Sequence, residues 1–431
     1  MGSNETRAKA GRPATATLAK SPRAPSPQSA YSLRLAIFYG ALFLIYGIHL
    51  PYLPVWLDWR GLTPQEIAIV TSAPFFLRVF ITPTVAMLAD RTDRHRTLVI
   101  ALTGLTLALA LVLSQMASFV TILLVAVAFA IALSTTMPLT ETIAVAGVRV
   151  HGLDYGRMRL WGSLTFVIAG FAGGWMIDHV GPAAVMACLI AAAVTTAASA
   201  WVLPQKERAP PADTDGLPLE NAPIARAGSL EEAAKLVRSP VFLAFLLAAG
   251  AAQGSHGMFY TFGAITWHAQ GISTAAVGAL WAIAIAGEVA LFAFSGPVIR
   301  RFGPAALLIS ATAAAMLRWL LMSFTPPLAL LVPMQTLHTL TYGASHLGAM
   351  HFISRAVPES AQGTAQALYA TVASGLLMGG ATLSSGWLYA RIGPQAYWAM
   401  LALAAVGLAG ALFVKARWSG GLIWDTARKP R

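Results

Sequence analysis

Five charged side chains lie inside long apolar stretches of this sequence, where ionisable groups are rare. Two are acids, Glu141 and Glu288, and three are arginines, Arg78, Arg159 and Arg318. In a bilayer, such a group costs several kcal/mol unless it is paired or faces a water-filled cavity. Each is therefore a candidate functional residue, although an internal ion pair that locks two helices would also account for any of them.

Further polar residues accompany these charges in the second half of the chain. Gln335, His338 and Thr341 are spaced three residues apart, so they share one face of a helix. Histidine has a model-compound pKa of about 6.5, so His338 is a candidate proton carrier, and the carboxyl group of Glu288 is another. A lone histidine on an apolar helix is also often a satisfied core residue.

Enzymatic and metal-binding patterns are not found. His346 and His351 are five residues apart and point to different helix faces, and there is no HExxH motif, Gly-rich phosphate loop or Ser/His/Asp cluster. The single cysteine, Cys188, excludes an intramolecular disulfide and a Cys-based metal cluster. The sequence therefore predicts no enzyme activity, no metal site and no cofactor, and it argues against ATP-driven transport.

The composition indicates where these residues reside. Hydrophobic residues make up 57% of the 431 residues and charged residues only 11%, whereas a soluble domain carries about 25% charged residues. A chain this apolar cannot cover a water-facing surface. The sequence therefore predicts an all-α polytopic membrane protein.

Twelve apolar runs are long enough to cross a bilayer, which takes about 20 residues. Their predicted limits are 33–57, 66–88, 97–115, 119–147, 158–178, 182–203, 240–267, 273–299, 304–324, 327–353, 364–390 and 395–415. The predicted organisation is a disordered cytoplasmic tail (1–30), a six-helix bundle (31–203), a cytoplasmic linker (204–239) with a short surface helix from Leu230 to Arg238, a second six-helix bundle (240–415) and a cytoplasmic tail (416–431).

The distribution of basic residues predicts the orientation. With the N-terminus inside, 24 of the 29 Lys and Arg residues fall in cytoplasmic segments, and only Arg60 and Arg391 fall outside. This asymmetry obeys the positive-inside rule and explains the basic pI without nucleic acid. We expect an integral protein of the bacterial inner membrane with both termini in the cytoplasm, surrounded by lipid and monomeric.

A short pattern, G-x6-G-P, occurs three times at predicted span ends. The copies lie at 174–182, 296–304 and 386–394, and the first and third are 212 residues apart. The second copy corresponds to residues 86–93 of the first half, at an offset of 210. Near-equal offsets indicate that the halves are copies, each built from two three-helix units of opposite orientation, as in secondary transporters.

The loop after the second span resembles the cytoplasmic signature of the major facilitator superfamily. Asp90, Arg91 and Arg94 match its Asp-Arg and later Arg, while Ala86 and Asp93 replace its glycines. The resemblance implies a cytoplasmic gate, in which Asp90 caps a neighbouring helix end and pairs with arginine. A basic loop that only sets topology is the alternative.

The segment 155–163 resembles the fifth span of the oligosaccharide:proton symporters within that superfamily. The resemblance implies that Glu141 and Arg159 form a substrate-binding pair, and that Glu288, Arg318 and His338 serve substrate and proton. The chain also resembles the phenylpropionic acid transporters over most of 33–415. Gln335, Thr341 and Phe166 replace a lysine, a glutamate and a tryptophan of the sugar permeases, which argues against a disaccharide.

These observations predict a secondary active transporter, a proton-coupled importer of an aryl or other organic acid that works by alternating access. The ring is expected among Phe166, Trp161 and Tyr260, and Glu141 is expected to bind Arg159 when substrate is absent. The predicted substrate-binding residues are Glu141, Arg159, Phe166, His256, Arg318 and His338, and the predicted proton-coupling residues are Glu288 and His338. An exporter of amphipathic drugs or metabolites, and a non-transporting scaffold or sensor, stay open as alternatives.

Overall fold

The computed structural model describes residues 27–207 and 230–424, and all regular structure in these ranges is helical. The first half contains six long helices that match the first six predicted spans. They are α1 (Pro27–Trp59), α2 (Pro64–Thr92), α3 (His95–Gln115), α4 (Phe119–His151), α5 (Tyr155–Val180) and α6 (Ala184–Ala200). The predicted tail 1–26, most of the linker (208–229) and residues 425–431 lie outside the described residues.

Helix α1 begins earlier than the sequence predicts, so the predicted boundary of the tail at residue 30 is wrong. Residues 27–30 form the first turn of the helix. A proline is tolerated there because the first turn of a helix leaves its backbone N–H groups unbonded. The Tyr31 hydroxyl donates to the Ile143 carbonyl of α4 at 3.0 Å, which anchors this end of α1 to the bundle.

The second half is more interrupted. A short amphipathic helix, α7, occupies Leu230–Arg238 as predicted and carries a Lys235–Glu231 ion pair of 2.8 Å. The remaining helices are α8 (Pro240–Gly254), α9 (Gly257–Ala269), α10 (Thr274–Ala293), α11 (Ser295–Met322), α12 (Leu328–Thr336), α13 (Ser345–Ala356), α14 (Glu359–Tyr369), α15 (Met378–Ile392) and α16 (Tyr397–Arg417). π-Helical turns at Thr339–Ala344 and Ala370–Leu377 join α12 to α13 and α14 to α15.

The twelve predicted spans are confirmed within the described ranges. Nine helical segments are long and apolar enough to cross a membrane, and the last of these, Glu359–Arg417, contains two spans that separate at Gly393. Helix α6 is a shorter apolar helix, and α12, its π turn and α13 together form the tenth span. The seventh span is α8 plus α9, broken at Ser255 and His256.

The repeated Gly-Pro pattern has one structural role. Gly181, Gly303 and Gly393 all adopt a positive φ, at 93°, 73° and 55°. Gly181 and Gly393 lie where one helix ends and the next begins, and Gly303 lies at a break within α11. Glycine enters this region without a Cβ penalty, and aspartate tolerates it better than most residues. Asp93, the corresponding position at the end of α2, has a φ of 52°. The repeat therefore marks four equivalent helix breaks.

The two halves meet along α5 against α10 and α2 against α15. The closest approaches lie at the ends that the sequence places outside, called here the outer ends. A Cβ at Gly278 would collide with the backbone of Gly170, and one at Gly386 would lie 2.7 Å from the Pro64 carbonyl oxygen. Small residues thus allow the halves to close together at the outer ends.

Candidate functional site

Arg318 of α11 is the centre of a buried polar network in the second half. Its side chain is fully buried. Nη2 donates to Gln335 Oε1 at 2.8 Å, and Nη1 donates to His338 Nδ1 at 2.9 Å and to Thr341 Oγ1 at 3.4 Å. The predicted common face of Gln335, His338 and Thr341 is therefore turned toward one guanidinium.

These contacts determine which nitrogen of His338 carries its proton. Arginine only donates hydrogen bonds, so His338 Nδ1 must accept and the proton of the neutral ring is on Nε2. Glu288 Oε1 lies 2.7 Å from this Nε2. The carboxylate oxygen is outside the angular range of a hydrogen bond, so the contact is a close electrostatic one. Arg318, His338 and Glu288 form a line in that order.

His256 contacts this network through Thr341. It is fully buried in the break of the seventh span, and its Nδ1 lies 3.0 Å from the Ala252 carbonyl oxygen. Its Nε2 lies 2.9 Å from Thr341 Oγ1. Both nitrogens thus have protein partners, and the predicted contact of His256 with substrate is not open in this structure.

Local backbone features bring the network together. The π turn Thr339–Ala344 directly follows His338, and π turns are frequent at functional sites. Gly287 precedes Glu288 and lies so close to Thr339 that a Cβ would collide with its hydroxyl. A side chain at position 287 would therefore push Glu288 away from His338.

The predicted pair in the first half is not in direct contact. Glu141 accepts a hydrogen bond from the Tyr155 hydroxyl at 2.6 Å, and among the described residues no salt bridge joins it to Arg159. The Arg159 guanidinium instead lies over the Phe43 ring, 3.9 Å from its centroid. The expected ion pair is wrong for this structure, because each of the two charges contacts aromatic side chains instead of the other charge. A substrate-binding role for Glu141 and Arg159 stays a prediction.

The aromatic residues expected around the substrate ring separate into two groups. Phe166 is buried against Trp281 at 6.3 Å between ring centroids, and Tyr260 lies 5.6 Å from the same Trp281 ring. Trp161 is 54% exposed. It begins a row of exposed hydrophobic side chains along one face of α5, at positions 161, 164, 168, 171 and 175. Trp161 therefore faces away from Phe166, and its predicted place beside the ring is wrong.

The three predicted gate residues lie where α2 meets α3. Asp90 Oδ1 contacts His95 Nε2 at 3.0 Å and Lys206 Nζ at 3.6 Å, while Arg91 and Arg94 are exposed. Asp90 thus pairs with a histidine and a lysine of its own half rather than with an arginine. Its side chain is held between the start of α3 and the end of the first bundle. The gate function itself stays a prediction.

At the outer ends, an acidic residue that the sequence analysis missed joins the halves. Asp178 of α5 accepts from the backbone N–H groups of Thr274 at 2.7 Å and Ala275 at 2.9 Å, at the N-terminus of α10. The Tyr52 hydroxyl of α1 reinforces this contact, because it lies 3.2 Å from the Thr274 carbonyl oxygen and 2.5 Å from the Gly170 carbonyl oxygen of its own half. The sequence repeat could have identified Asp178, because Asp178 follows Gly174 by four residues, just as Asp90 follows Ala86.

Asp178→Asn is expected to weaken closure of the outer ends. The amide keeps one acceptor oxygen and loses the charge that favours a helix N-terminus, which together contribute about 1–2 kcal/mol. That corresponds to a roughly 5- to 30-fold fall in the ratio of closed to open outer ends. Spin-label distances between the outer ends of α5 and α10 measure it.

Asp154→Asn is the matched control, since Asp154 caps α5 within its own half by accepting from the Arg157 N–H at 3.1 Å. Equal distance distributions for the two variants would contradict the assigned role of Asp178.

Comparison with known proteins decides the family. A model of the MFS_1-like family matches residues 32–400, which covers the first eleven spans and the start of α16. The chain belongs to the MFS_1-like family. As a major facilitator superfamily protein it is an integral membrane transporter and not an enzyme.

Two curated relatives cover most of this MFS_1-like chain. It is 31% identical over 374 residues to the "Probable 3-phenylpropionic acid transporter" of Escherichia coli, covering 86% of this chain and 94% of the relative. It is 27% identical over 358 residues to the "Maltose permease" of Geobacillus stearothermophilus, covering 82% and 87%.

Solved structures share the MFS fold at low identity. The nucleoside transporter NupG superposes with a TM-score of 0.72 at 17% identity, covering 90% of this chain and 99% of that structure. A bacterial homologue of the human lysosomal transporter Spinster, in an inward-facing and unoccupied conformation, superposes with a TM-score of 0.67 at 17% identity, covering 92% and 100%. These likenesses establish the two-bundle architecture and say nothing of the substrate.

Proposed function

We propose that this transporter imports a small organic acid of the aryl type together with protons, by alternating access of the two six-helix halves. It would work in the bacterial inner membrane as a monomer with both termini in the cytoplasm, driven by the proton gradient. The relative described as a 3-phenylpropionic acid transporter supports the substrate class. The observation that carries the proposal is the buried line Arg318–His338–Glu288.

Within this line, Glu288 is the better proton carrier. A proton added to His338 would have to go on Nδ1, where it would face the Arg318 N–H at 2.9 Å and break that hydrogen bond. A proton added to the other carboxyl oxygen of Glu288, Oε2, meets no such conflict, because Oε1 still faces the Nε2–H of His338 at 2.7 Å. His338 then positions Glu288 rather than carrying the proton itself.

Such a carrier can link protons to substrate. When one half rocks against the other, the carboxyl group of Glu288 would meet water from alternate sides of the membrane. It could take up a proton from outside and release it inside. Arg318 keeps His338 in one tautomer during these steps, because its hydrogen bonds lie wholly within the second half.

The test is uptake of labelled 3-phenylpropionate into proteoliposomes with an alkaline interior. We expect accumulation above that of protein-free liposomes, which corrects for passive entry of the neutral acid, and loss of accumulation when a protonophore is added. Labelled maltose is the competing substrate.

Accumulation of maltose in place of the aryl acid would overturn the substrate class. Transport of the aryl acid at a rate that does not depend on the pH gradient would overturn proton coupling. Outward transport against a gradient would support an exporter.

A further inference from the structure

A cavity of about 160 Å³ lies between the two halves, and none of the six predicted substrate-binding residues lines it. Helices α1, α2 and α4 form most of its wall, and α9 and α15 complete it from the second half. Thr71 of α2 and Thr261 of α9 bring their hydroxyl oxygens within 3.5 Å of each other at this boundary. Its apolar lining with a few convergent polar groups is typical of a small-molecule site.

The cation in this wall is Arg78, which the sequence marks as a candidate functional residue but to which it assigns no role. Its Nη2 donates to the Ser374 carbonyl oxygen at 2.8 Å, in the π turn of the other half. That is its one hydrogen bond to the described residues, and none of their carboxylates lies within 4.0 Å of it. Since a guanidinium has five N–H donors in a planar fork, Arg78 keeps donors for a carboxylate.

The other two intramembrane arginines do not line this cavity. Arg318 is fully buried and donates to three protein partners. Arg159 lies over Phe43 as Arg78 lies over Phe75, and its Nη1 has no hydrogen-bond partner among the described residues, but it is not part of the cavity wall.

His49 adds a second polar group to the same wall. Its Nε2 is shielded from water and has no hydrogen-bond partner among the described residues. A buried polar atom without a partner is costly, so an oxygen of a bound ligand would be stabilised there. His49 stands alone in the first span, so no spacing or motif in the sequence marks it as a binding residue.

The cavity volume limits the ligand. An apolar cavity of about 150 Å³ accommodates one benzene molecule, whereas drug-sized ligands occupy about 300–1,000 Å³. A volume near 160 Å³ therefore suits one six-membered ring and not the two rings of a disaccharide. Tyr46, Phe75 and Tyr260 supply aromatic surface for such a ring.

We propose that this cavity binds the ring of a single-ring aryl carboxylate, and that Arg78 and His49 hold its carboxylate. The inference rests on the proposed transport of aryl acids and moves the anion contact from Arg159 or Arg318 to Arg78. Arg78 of the first half already donates a hydrogen bond to Ser374 of the second half. A carboxylate bound to Arg78 would therefore lie at the boundary between the halves, where its binding can change their relative position.

The test is calorimetric binding of 3-phenylpropionate and of the neutral 3-phenylpropanamide to the purified full-length protein. The wild type is expected to prefer the acid at least tenfold. Arg78→Gln should lower the affinity for the acid at least tenfold and leave the affinity for the amide unchanged, and Arg78→Lys should restore part of the preference. Arg159→Gln should keep the preference, and the exposed Arg391→Gln is the matched control for loss of a positive charge.

The cavity itself is tested by Ala130→Leu, which fills it from α4 and should weaken the acid and the amide alike. If the preference disappears in Arg159→Gln but not in Arg78→Gln or Arg78→Lys, the Arg78 site is overturned while aryl-acid transport stands. If the wild type neither binds nor transports aryl acids, both the site and the proposed function fall. Thermal melting of each variant identifies any that fail to fold, and Arg78→Lys then decides the outcome for position 78.

Discussion

Glu288→Gln should abolish proton-driven accumulation of the substrate while leaving exchange of labelled for unlabelled substrate across the membrane. Glutamine keeps the shape of the side chain but cannot bind or release the proton. A gradient of two pH units supplies about 2.7 kcal/mol per proton, so the wild type should concentrate substrate up to about 100-fold, and the variant should accumulate it no faster than protein-free liposomes do. Paired uptake and counterflow assays in proteoliposomes measure the two activities.

Gln335→Glu is a useful companion to this experiment, because it places a carboxylate against Arg318 from the other side, where Gln335 now accepts at 2.8 Å. We expect it to draw Arg318 away from His338 and to reduce accumulation less than Glu288→Gln does. Full accumulation in Glu288→Gln would exclude Glu288 as the proton carrier.

Gly278→Val should stop net transport by preventing closure of the outer ends. The added Cβ would collide with the backbone of Gly170 and lie 2.8 Å from the Tyr52 hydroxyl. Packed interfaces tolerate such overlap poorly, at a typical cost of about 1–3 kcal/mol and occasionally more. We expect the outer ends of α5 and α10 to separate in spin-label distance measurements, and transport to fall at least tenfold.

Gly380→Val is the matched control, since it is another helical glycine of the same half and a Cβ there meets nothing within 4 Å. Normal transport by Gly278→Val, or equal loss in both variants, would contradict the view that this contact must open and close.

Much of the architecture was predictable because hydropathy and the positions of Gly-Pro breaks are local properties of the sequence. The twelve spans and the short helix Leu230–Arg238 follow from them. The start of α1 was misplaced because its anchor, the Tyr31 hydroxyl on Ile143, joins residues that are 112 positions apart. No local pattern reports such a contact.

The site was predictable in residue type but only partly in arrangement. Spacing placed Gln335, His338 and Thr341 on one face, and the structure turns that face toward Arg318. Spacing could not reveal that Arg159 lies over Phe43, since that depends on how α1 and α5 are rotated against each other. Asp178 could have been found from the repeat.

The π turn at Ala370–Leu377 has a consequence for the whole eleventh span. A π turn holds one residue more than an α turn, so all that follows is rotated by about 100° about the helix axis relative to an unbroken α-helix. Buried positions recur every four residues at Ala361, Ala365 and Tyr369, and the series that resumes at Met378 follows a different phase. The buried faces of the two parts of this span therefore point in different directions: α14 packs within its own bundle, and α15 packs against α2 of the other half as well as against α9.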